Sequence, residues 1–348
     1  MTKITRIVLS NGGMMNIEKF SNAMGVSGDE WEIRRLLTEE AEKYADSVEI
    51  DAMGNIIALK RGTGGKKKLM AVAHMDEVGF LVTGIDESGF LKLGRVGGID
   101  PRVCVDKRVI VGRDKIPGVI MVKPIHLTSR DERGKPVPFS SLLVDIGTEK
   151  KEETAKYVKL GDPVAFDTKF EKLSNSMIKG KAFDDRLGCV AIIELLKKRY
   201  KHDFYAVFTV QEEVGLRGAS VIGERIKADY AIILEGTGAQ DFPNKKDINK
   251  SPKIGAGPCV TIKDGRSFAS KELLKLTVKV AEENKIPFQF KKPGVGGTDA
   301  GVLQISGTGI KTIVYATPAR YIHSPVSISS VNDLKNKINL TDLVLKSL

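Results

Sequence analysis

The segment that decides the fold is Leu69-Met70-Ala71-Val72-Ala73-His74-Met75-Asp76-Glu77-Val78-Gly79-Phe80. Its apolar run has the length of a buried strand, and it stops at a histidine that is followed two residues later by an aspartate. A strand that ends in His-x-Asp places a neutral metal ligand and a carboxylate at one edge of a sheet. In open α/β sheets, ligands bind outside the carboxyl ends of the strands. The segment therefore predicts a ligand site, provided that other ligand-type side chains arrive at the same edge.

The composition is that of a globular protein. Of 348 residues, 41% are hydrophobic and 28% charged, which suffices for one large or two ordinary domains. No apolar run approaches the ~20 residues of a membrane span, and the first ten residues lack the apolar core and cleavage site of a signal peptide. Three distant cysteines, Cys104, Cys189 and Cys259, argue against a disulfide framework or a thiolate zinc site. They predict a reducing, cytoplasmic environment.

The chain is strongly basic, with a formal net charge of +11 and a pI near 9.3. Such a charge is typical of proteins that bind nucleic acid. The lysines are nevertheless spread along the chain, Lys66-Lys67-Lys68 is the only run of three, and no zinc finger, RNP motif or arginine-rich arm is present. The pattern favours a lysine-rich solvated surface, with neither nucleic acid nor membrane as a partner.

Hydrophobic periodicity predicts α/β segments at both ends of the chain and a β segment between them. Ser27 and Glu30 form a capping-box pattern ahead of the second helix. The first segment has predicted helices over 16–24 and 30–44 and strands over 48–51, 55–59 and 69–73. The middle segment has short strands over 80–85, 90–93, 109–111, 119–122, 142–146 and 163–166, with a turn or two of helix near 151–157. In the last segment, strands over 205–210, 230–234, 287–290 and 310–316 alternate with helices over 185–200, 218–226, 271–284, 298–305 and 332–345.

The simplest account is one α/β domain with a parallel or mixed sheet flanked by helices, interrupted by an inserted all-β domain. We predict that residues 1–76 and 172–348 form the α/β domain and that residues 77–171 form the insertion, as a barrel or a sandwich.

Acidic and histidine side chains follow several predicted strands. Glu212 and Glu213 follow the strand over 205–210, Glu235 ends the strand over 230–234, and His323 follows the last strand. If these strands are parallel, their ends share an edge with His74. His126 and His202 have no such partners, and they are predicted to be surface or packing residues.

The pair Asp184 and Asp185 opens a predicted helix. Helix capping alone explains an acidic pair at such a position. It does not explain two histidines and several carboxylates converging on one edge. Two His and three carboxylates suit Zn²⁺, Co²⁺ or Mn²⁺. One carboxylate can bridge two ions, and a second glutamate beside a liganding one can serve as general base.

The ordered motifs resemble those of the M42 aminopeptidase family, which covers glutamyl, leucyl and lysyl aminopeptidases and some members labelled endoglucanase. The resemblance extends over essentially the whole chain, including the insertion. It rests on His74-x-Asp76, Asp184-Asp185-Arg186, Glu212-Glu213-x-Gly215, Glu235 and His323-Ser324-Pro325.

The resemblance implies a role for each of these residues. One metal ion would bind His74 and the other His323, Asp184 would bridge them, and Glu213 and Glu235 would complete the two sets. General base catalysis would fall to Glu212, while Asp76 would orient His74. Many members of the family have Asp where this chain has Glu235, which affects the fine geometry and the metal preference.

A glycine loop, Gly296-Gly297-Thr298-Asp299-Ala300-Gly301, is similar to the family's loop beside the substrate. The resemblance therefore places Gly297, Thr298 and Asp299 next to the substrate. A tight turn that caps a helix is the alternative interpretation.

The reaction implied is hydrolysis of an N-terminal peptide bond with two divalent metal ions per subunit, of Zn²⁺, Co²⁺ or Mn²⁺. A two-metal deacetylase or carboxypeptidase of similar fold, a glycoside hydrolase and a basic binding module are the alternatives. In the resembling family the β domain mediates dimerisation, and dimers assemble into dodecamers. The preference for acidic, apolar or basic N-terminal residues is left open.

Overall fold

The computed structural model describes residues 11–243, 252–292, 294 and 296–348. Its strands are β1 (Ser47–Ile50), β2 (Ile56–Lys60), β3 (Lys68–His74), β4 (Gly79–Ile85), β5 (Leu91–Val96), β6 (Arg108–Val111), β7 (Ile116–Ile120), β8 (Leu143–Asp145), β9 (Pro163–Phe166), β10 (Glu171–Lys172), β11 (Met177–Gly180), β12 (Asp203–Thr209), β13 (Tyr230–Gly238), β14 (Cys259–Thr261), β15 (Gln289–Lys291), β16 (Lys311–Arg320) and β17 (Ser327–Ser330). Its α-helices are α1 (Asn11–Asn22), α2 (Trp31–Ala41), α3 (Arg130–Arg133), α4 (Lys151–Thr154), α5 (Phe183–Leu196), α6 (Ala219–Ile226), α7 (Lys271–Glu283), α8 (Ala300–Leu303) and α9 (Val331–Ser347).

Four parallel strands form the centre of a large mixed sheet, in the order β12, β3, β13, β16. Residues Leu69 to His74 of β3 are buried without interruption, as a strand covered on both faces requires. The hairpin β1–β2 adds antiparallel strands beside β12, and β17, β11 and β10 extend the sheet beyond β16. The predicted parallel or mixed sheet flanked by helices is therefore confirmed.

Side chains of β3 alternate between two hydrophobic cores, because successive residues of a strand point to opposite faces. Leu69, Ala71 and Ala73 pack in the larger core, to which helices α1, α2, α5, α7 and α9 contribute. Met70 and Val72 pack in a smaller core with α6 and α8. The helices thus cover both faces of the sheet and leave its carboxyl edge accessible. No helix in the described ranges is long and apolar enough to cross a membrane.

The β segment between β3 and β11 contains a closed barrel of six strands, in the order β4, β5, β8, β7, β6, β9. Phe80 and Phe166 pack edge to face in its core, with ring centroids 5.5 Å apart. The first and last strands are neighbours, since Phe80 of β4 lies opposite Val164 of β9. A barrel is one of the two architectures predicted for this segment; the limits 77–171 stay a prediction.

The predicted capping box is wrong. Helix α2 begins at Trp31 with Glu30 at its N-cap, and no side chain caps it. The Ser27 hydroxyl instead donates to Asp76 Oδ2 at 2.6 Å. A hydrogen bond from a hydroxyl to a carboxylate is charge-assisted and therefore stronger than the neutral hydrogen bond of a helix cap, and Ser27 lies against Asp76 instead of capping the helix. The short helix α3, a single turn at Arg130–Arg133, was not predicted.

Candidate metal centre

The parallel pairing of β3 with β12 brings His74, Glu212 and Glu213 to the same edge of the sheet. His74 is the last residue of β3, and it lies opposite Thr209, the last residue of β12. Glu212 and Glu213 follow β12 directly, so they lie at the same carboxyl edge of the sheet as His74.

Strands β13 and β16 contribute the next two residues. Glu235 lies opposite Ala316 of β16, and His323 follows the end of β16. We predicted Glu235 at the end of its strand, but β13 continues to Gly238 because it pairs with β16 along its whole length. Glu235 therefore projects from a continuous strand, and it is buried.

Asp184 lies between the two histidines. Its Oδ1 is 3.4 Å from His74 Nε2, and its Oδ2 is 3.5 Å from His323 Nε2. Each histidine also faces a second carboxylate: Glu235 Oε2 lies 3.7 Å from His74 Nε2, and Glu213 Oε1 lies 3.1 Å from His323 Nε2. The two oxygens of one carboxylate are thus directed toward two different His–Glu pairs.

Three groups of side chains have donor atoms that all lie within 4.8 Å of one another. The first consists of His74, Asp184 and Glu235, and the second of Asp184, Glu213 and His323. The third combines His74 with Glu212 and Glu213. Imidazole nitrogens and carboxylate oxygens are ligands for Zn²⁺ and for related divalent cations.

Unpaired buried oxygens show that these residues fit a cation. Asp184 Oδ1 and Glu235 Oε1 are buried and have no hydrogen-bond partner among the described residues. A buried carboxylate oxygen without a partner is costly unless it is coordinated or its group is neutralised. The donor set and its unsatisfied atoms therefore match what divalent metal ions would supply.

The electrostatics favour positive charge at both histidines. Burial lowers the pKa of His323, but Asp184 and Glu213 outweigh it and raise the pKa to about 11. The pKa of His74 is likewise raised well above its usual value, against burial, by Asp184 and Asp76. Burial also opposes ionisation of Asp184, yet His323 and His74 hold its pKa well below the usual range. The carboxylates therefore favour positive charge in the space that they share with the two histidines.

Asp76 connects His74 to the glutamate pair. Its Oδ1 lies 3.4 Å from His74 Nδ1 and accepts the backbone N–H of Glu212 at 3.0 Å. Its Oδ2 accepts the N–H of Glu213 at 3.2 Å and the hydroxyl of Ser27. One fully buried carboxylate therefore lies beside the imidazole and accepts hydrogen bonds from the backbone that carries both glutamates.

Glu212 belongs to one of the three donor groups, but it is absent from the two that share Asp184. Burial raises the pKa of its carboxyl well above the usual value; the His74 charge lowers it, while Asp299, Glu213 and Asp76 raise it further. A carboxylate with a raised pKa binds a proton more readily than an exposed one, which suits a group that accepts a proton.

A cavity of about 560 Å³ opens beside these residues. Gly297 and Thr298 of the glycine loop line it together with the acidic residues and both histidines. Asp299 lies behind the wall: it is 1% exposed, and its Oδ2 accepts the Thr209 hydroxyl at 2.6 Å. Burial raises the pKa of Asp299 to about 6. It therefore lies behind the cavity surface, beside Thr209 at the end of β12.

Sequence reasoning missed a buried lysine below the site. Lys337 of α9 is fully buried, and its Nζ donates to the backbone carbonyl of Glu235 at 3.2 Å. The signal was present, because Lys337 occupies the same helical face as the buried Leu334, Ile338 and Thr341. A lysine on an apolar face must have acidic neighbours, and here Asp185 and Glu235 provide them.

A second buried charge cluster lies next to the site. Lys181 Nζ donates to both oxygens of Glu77, at 2.6 and 2.7 Å, and Arg186 Nη2 lies 3.3 Å from the same carboxylate. All three side chains are almost fully buried. Glu77 and Arg186 occur within the motifs quoted above, but their pairing joins residues distant in sequence and gives no local pattern.

The other two histidines lie outside the three donor groups. His126 belongs to an exposed turn, and His202 is buried, where its Nδ1 accepts the backbone N–H of Lys67 at 3.2 Å. This agrees with their predicted surface and packing roles.

Comparisons with known proteins agree with this architecture. The profile of the M42 glutamyl aminopeptidase family matches residues 54–340. The lysyl aminopeptidase of Pyrococcus furiosus is 34% identical over 341 residues, covering 95% of this chain and 96% of that protein. The crystal structure of a TET aminopeptidase from the marine sediment archaeon Thaumarchaeota archaeon SCGC AB-539-E09 is 33% identical with a TM-score of 0.93, covering 97% of each chain.

A further solved structure is the Pyrococcus horikoshii TET1 peptidase, described as able to assemble into a tetrahedron or a large octahedral shell. It is 34% identical with a TM-score of 0.86, covering 97% of this chain and 100% of that one. Because the family profile matches most of its length and these relatives are more than 30% identical to it, the chain belongs to the M42 glutamyl aminopeptidase family and is a peptide-hydrolysing enzyme.

Proposed function

We propose that this chain is a dinuclear metallo-aminopeptidase. The observation that carries the proposal is Asp184, whose two oxygens are shared between the donor group of His74 and Glu235 and the donor group of His323 and Glu213. A shared carboxylate is how two-metal hydrolases hold their ions a few ångströms apart. Zn²⁺, Co²⁺ and Mn²⁺ are the cations whose ligand preferences agree with this set.

Such ions, when bound, lower the pKa of a coordinated water and polarise the carbonyl of the scissile bond. The chain's own contribution is the movement of one proton. Glu212, held beside His74 through Asp76, takes the proton of the attacking water and returns it to the nitrogen of the leaving group. Burial raises the pKa of the Glu212 carboxyl above its ordinary value, which makes it a stronger base than a solvent-exposed glutamate.

The test is Glu212→Gln. We expect this variant to retain two metal ions per chain and to lose turnover by about 10²- to 10⁴-fold, as expected for loss of a general base. Metal content is measured by mass spectrometry after gel filtration, and turnover with aminoacyl p-nitroanilides. Glu224→Gln, on the outer face of α6, is the matched control. Full activity in Glu212→Gln would show that Glu212 is not the general base. Loss of metal would show that Glu212 is a ligand, as the third donor group allows.

A chelator experiment addresses the metal requirement and the alternative reactions. EDTA should abolish hydrolysis of aminoacyl anilides, and Zn²⁺ or Co²⁺ should restore it. Parallel assays with N-acetylated amino acids, with peptides that have a blocked N-terminus and with β-glucans test the deacetylase, carboxypeptidase and glycoside hydrolase alternatives. Hydrolysis of any of these in preference to free N-terminal peptides would overturn the aminopeptidase proposal.

We also propose that the protein is a homo-oligomer in which the inserted domain over 77–171 forms dimers that assemble into a dodecamer. Support comes from the Pyrococcus horikoshii relative and from apolar side chains exposed on this domain, among them Ile125 and Leu127 at 70% and 60% exposure. Ile125→Glu should shift the mass measured by light scattering toward smaller species.

The three cysteines are buried and form no disulfide, which supports the proposal of a cytoplasmic location.

A further inference from the structure

The cavity beside the acidic residues also has a basic part. Arg266, Lys291 and Lys292 line the same cavity as His74 and Glu235. Within the described part of the chain, none of these three cationic side chains takes part in an ion pair with an acidic one. A cavity wall with three such positive charges attracts an anionic group from the ligand.

The turn that carries Arg266 is built by a buried aspartate. Asp264 is 1% exposed, and its Oδ1 accepts the backbone N–H groups of Arg266 and Ser267 at 2.7 and 2.6 Å. Its Oδ2 accepts the hydroxyls of Ser267 and Thr298, at 2.8 and 3.3 Å. Because Thr298 belongs to the glycine loop, one carboxylate fixes the turn and joins it to the cavity wall.

The glycine loop leaves room for the Arg266 side chain. A Cβ added at Gly301 would lie 2.6 Å from Arg266 Cβ, and one added at Gly297 would lie 3.0 Å from Arg266 Cδ. The backbone N–H of Gly265 donates to Gly296 at 2.7 Å, which holds the turn against the loop. The arginine therefore lies along the glycine loop, and larger residues at these two glycines would displace it.

The two lysines are attached to the same sheet as the acidic residues. Lys291 ends β15 opposite Thr261 of β14, and Thr261 in turn pairs with Val314 of β16. Lys291 is thus joined through hydrogen-bonded strands to β16, which pairs with the strand that carries Glu235. The sheet therefore fixes the distance between Lys291 and the donor groups. A fixed distance is needed if the site is to select a ligand by its length.

Family membership does not decide which N-terminal residue is preferred, since the family is described as glutamyl whereas the Pyrococcus furiosus relative is a lysyl aminopeptidase. We propose that Arg266, Lys291 and Lys292 bind the side-chain carboxylate of an N-terminal glutamate or aspartate, so that this enzyme removes acidic residues. The proposal rests on the aminopeptidase function proposed above. A guanidinium forms paired hydrogen bonds with a carboxylate, and an N-terminal lysine would meet like charge.

The comparison that isolates the side-chain charge is between glutamyl and glutaminyl p-nitroanilide, which have the same shape. We expect kcat/KM to be at least about 10-fold higher for the glutamyl substrate, because hydrogen bonds to charged groups are the stronger ones. The ratio should fall as NaCl is raised, since salt screens exposed charges. Neither substrate has a C-terminal carboxylate. Discrimination that occurs only with dipeptides, and is lost when their C-terminus is amidated, would assign the basic residues to that carboxylate and overturn the proposal.

Variants locate the selectivity. Arg266→Gln should lower the glutamyl to glutaminyl ratio by about 10-fold, and Arg266→Lys by less, because lysine keeps the charge but loses the paired geometry. Lys291→Gln and Lys292→Gln should each lower it severalfold. The control is Lys279→Gln, an exposed lysine of α7 that lies outside this cavity and should leave the ratio unchanged. A wild-type ratio near one, or a ratio that Arg266→Gln leaves unaltered, would overturn the proposal.

A binding measurement separates failure of this proposal from failure of the aminopeptidase function. Titration calorimetry of L-glutamate and L-glutamine, with metal-loaded and with metal-free protein, should show tighter binding of glutamate that depends on Arg266. If leucyl or lysyl anilides are hydrolysed better than glutamyl anilide, the acidic preference is wrong while the function stands. If no anilide is hydrolysed but glutamate binds more tightly than glutamine in an Arg266-dependent manner, the proposed aminopeptidase reaction is wrong. The proposal that the basic residues bind a carboxylate then stands.

Discussion

Asp76 Oδ1 lies 3.4 Å from His74 Nδ1, on the side of the imidazole away from Asp184. A carboxylate behind a metal-binding histidine fixes the ring and increases its basicity, and its removal typically costs 10- to 100-fold in metal affinity. Asp76→Asn keeps the shape but removes the charge, and it places an amide N–H₂ against the donating N–H group of either Glu212 or Glu213. We expect metal affinity to fall by about 100-fold, as measured by competition with a fluorescent chelator.

The matched control is Asp86→Asn in the barrel. Asp86 also accepts two backbone N–H groups, those of Ser88 and Phe90, but it lies in the turn between β4 and β5 and does not line the cavity. Metal affinity should be unchanged in this variant. Equal losses in both variants would indicate a general effect of aspartate-to-asparagine substitution rather than a role for Asp76.

Lys337 offers a prediction in which two effects have opposite signs. Lys337→Met removes the buried positive charge beside Asp185 and Glu235. The free energy of unfolding in EDTA should fall by about 3 kcal/mol, because a buried acidic group loses its partner. The stabilisation by saturating Zn²⁺ should increase, since the cation no longer competes with the ammonium. Thermal and urea unfolding with and without Zn²⁺ measure both quantities. In Lys335→Met, on the same helix but not buried, neither should change.

The pair Lys181 and Glu77 is suited to a double-mutant cycle. Lys181→Met leaves the Glu77 carboxylate buried with Arg186 as its remaining charged partner, and the free energy of unfolding should fall by about 3 kcal/mol. Glu77→Leu leaves two buried cations and should cost at least as much. The double variant should be more stable than the sum of the two losses predicts. Additive losses would mean that the two side chains do not interact energetically.

Glu30 gives a prediction about pH. Burial raises the pKa of its carboxyl to about 7, although the N–H of Gly28 opposes the shift. In the unfolded chain the carboxyl ionises near its ordinary pKa. The contribution of Glu30 to the free energy of unfolding is therefore complete below that pKa, and it is lost as the pH rises through 7. Glu30→Gln mimics the neutral form. Relative to the wild type, the variant should gain up to about 3 kcal/mol of unfolding free energy at pH 8 and little at pH 4.5.

Urea unfolding in EDTA across this pH range checks the Glu30 prediction. Glu18→Gln, on the exposed face of α1, is the control and should not alter the pH profile. A difference between Glu30→Gln and the wild type that is the same at every pH would show that the carboxyl does not titrate between pH 4.5 and 8.

The sequence predicted the architecture because strand ends are a local signal. His74, Glu212 and His323 each follow an apolar run, and parallel pairing then brings them to one edge without further information. The extent of β13 was less predictable, since Glu235 interrupts an apolar run but not the ladder of hydrogen bonds with β16. A polar residue that belongs to a site has the same appearance in a sequence as one that ends a strand.

The basic wall of the cavity was beyond prediction for a different reason. Arg266 belongs to an unremarkable turn, and its contact with Gly297 and Gly301 joins segments that share no sequence pattern. Ser27 was misassigned because its spacing to Glu30 fits a helix cap, whereas the acceptor that it uses, Asp76, lies elsewhere in the chain. Local patterns identify candidates, but long-range contacts decide between them.

The adjacency of β4 and β9 has a consequence for the order of folding. His74 precedes the barrel and Asp184 follows it, so in an unfolded chain the two must close a long loop, which costs entropy. Because the chain enters and leaves the barrel through neighbouring strands, with Phe80 opposite Val164, a barrel that has already folded brings its own two ends together. We expect the barrel to form before the central sheet. Its folding then spares the sheet most of the loop-closure entropy that would otherwise slow the meeting of the two halves of the site.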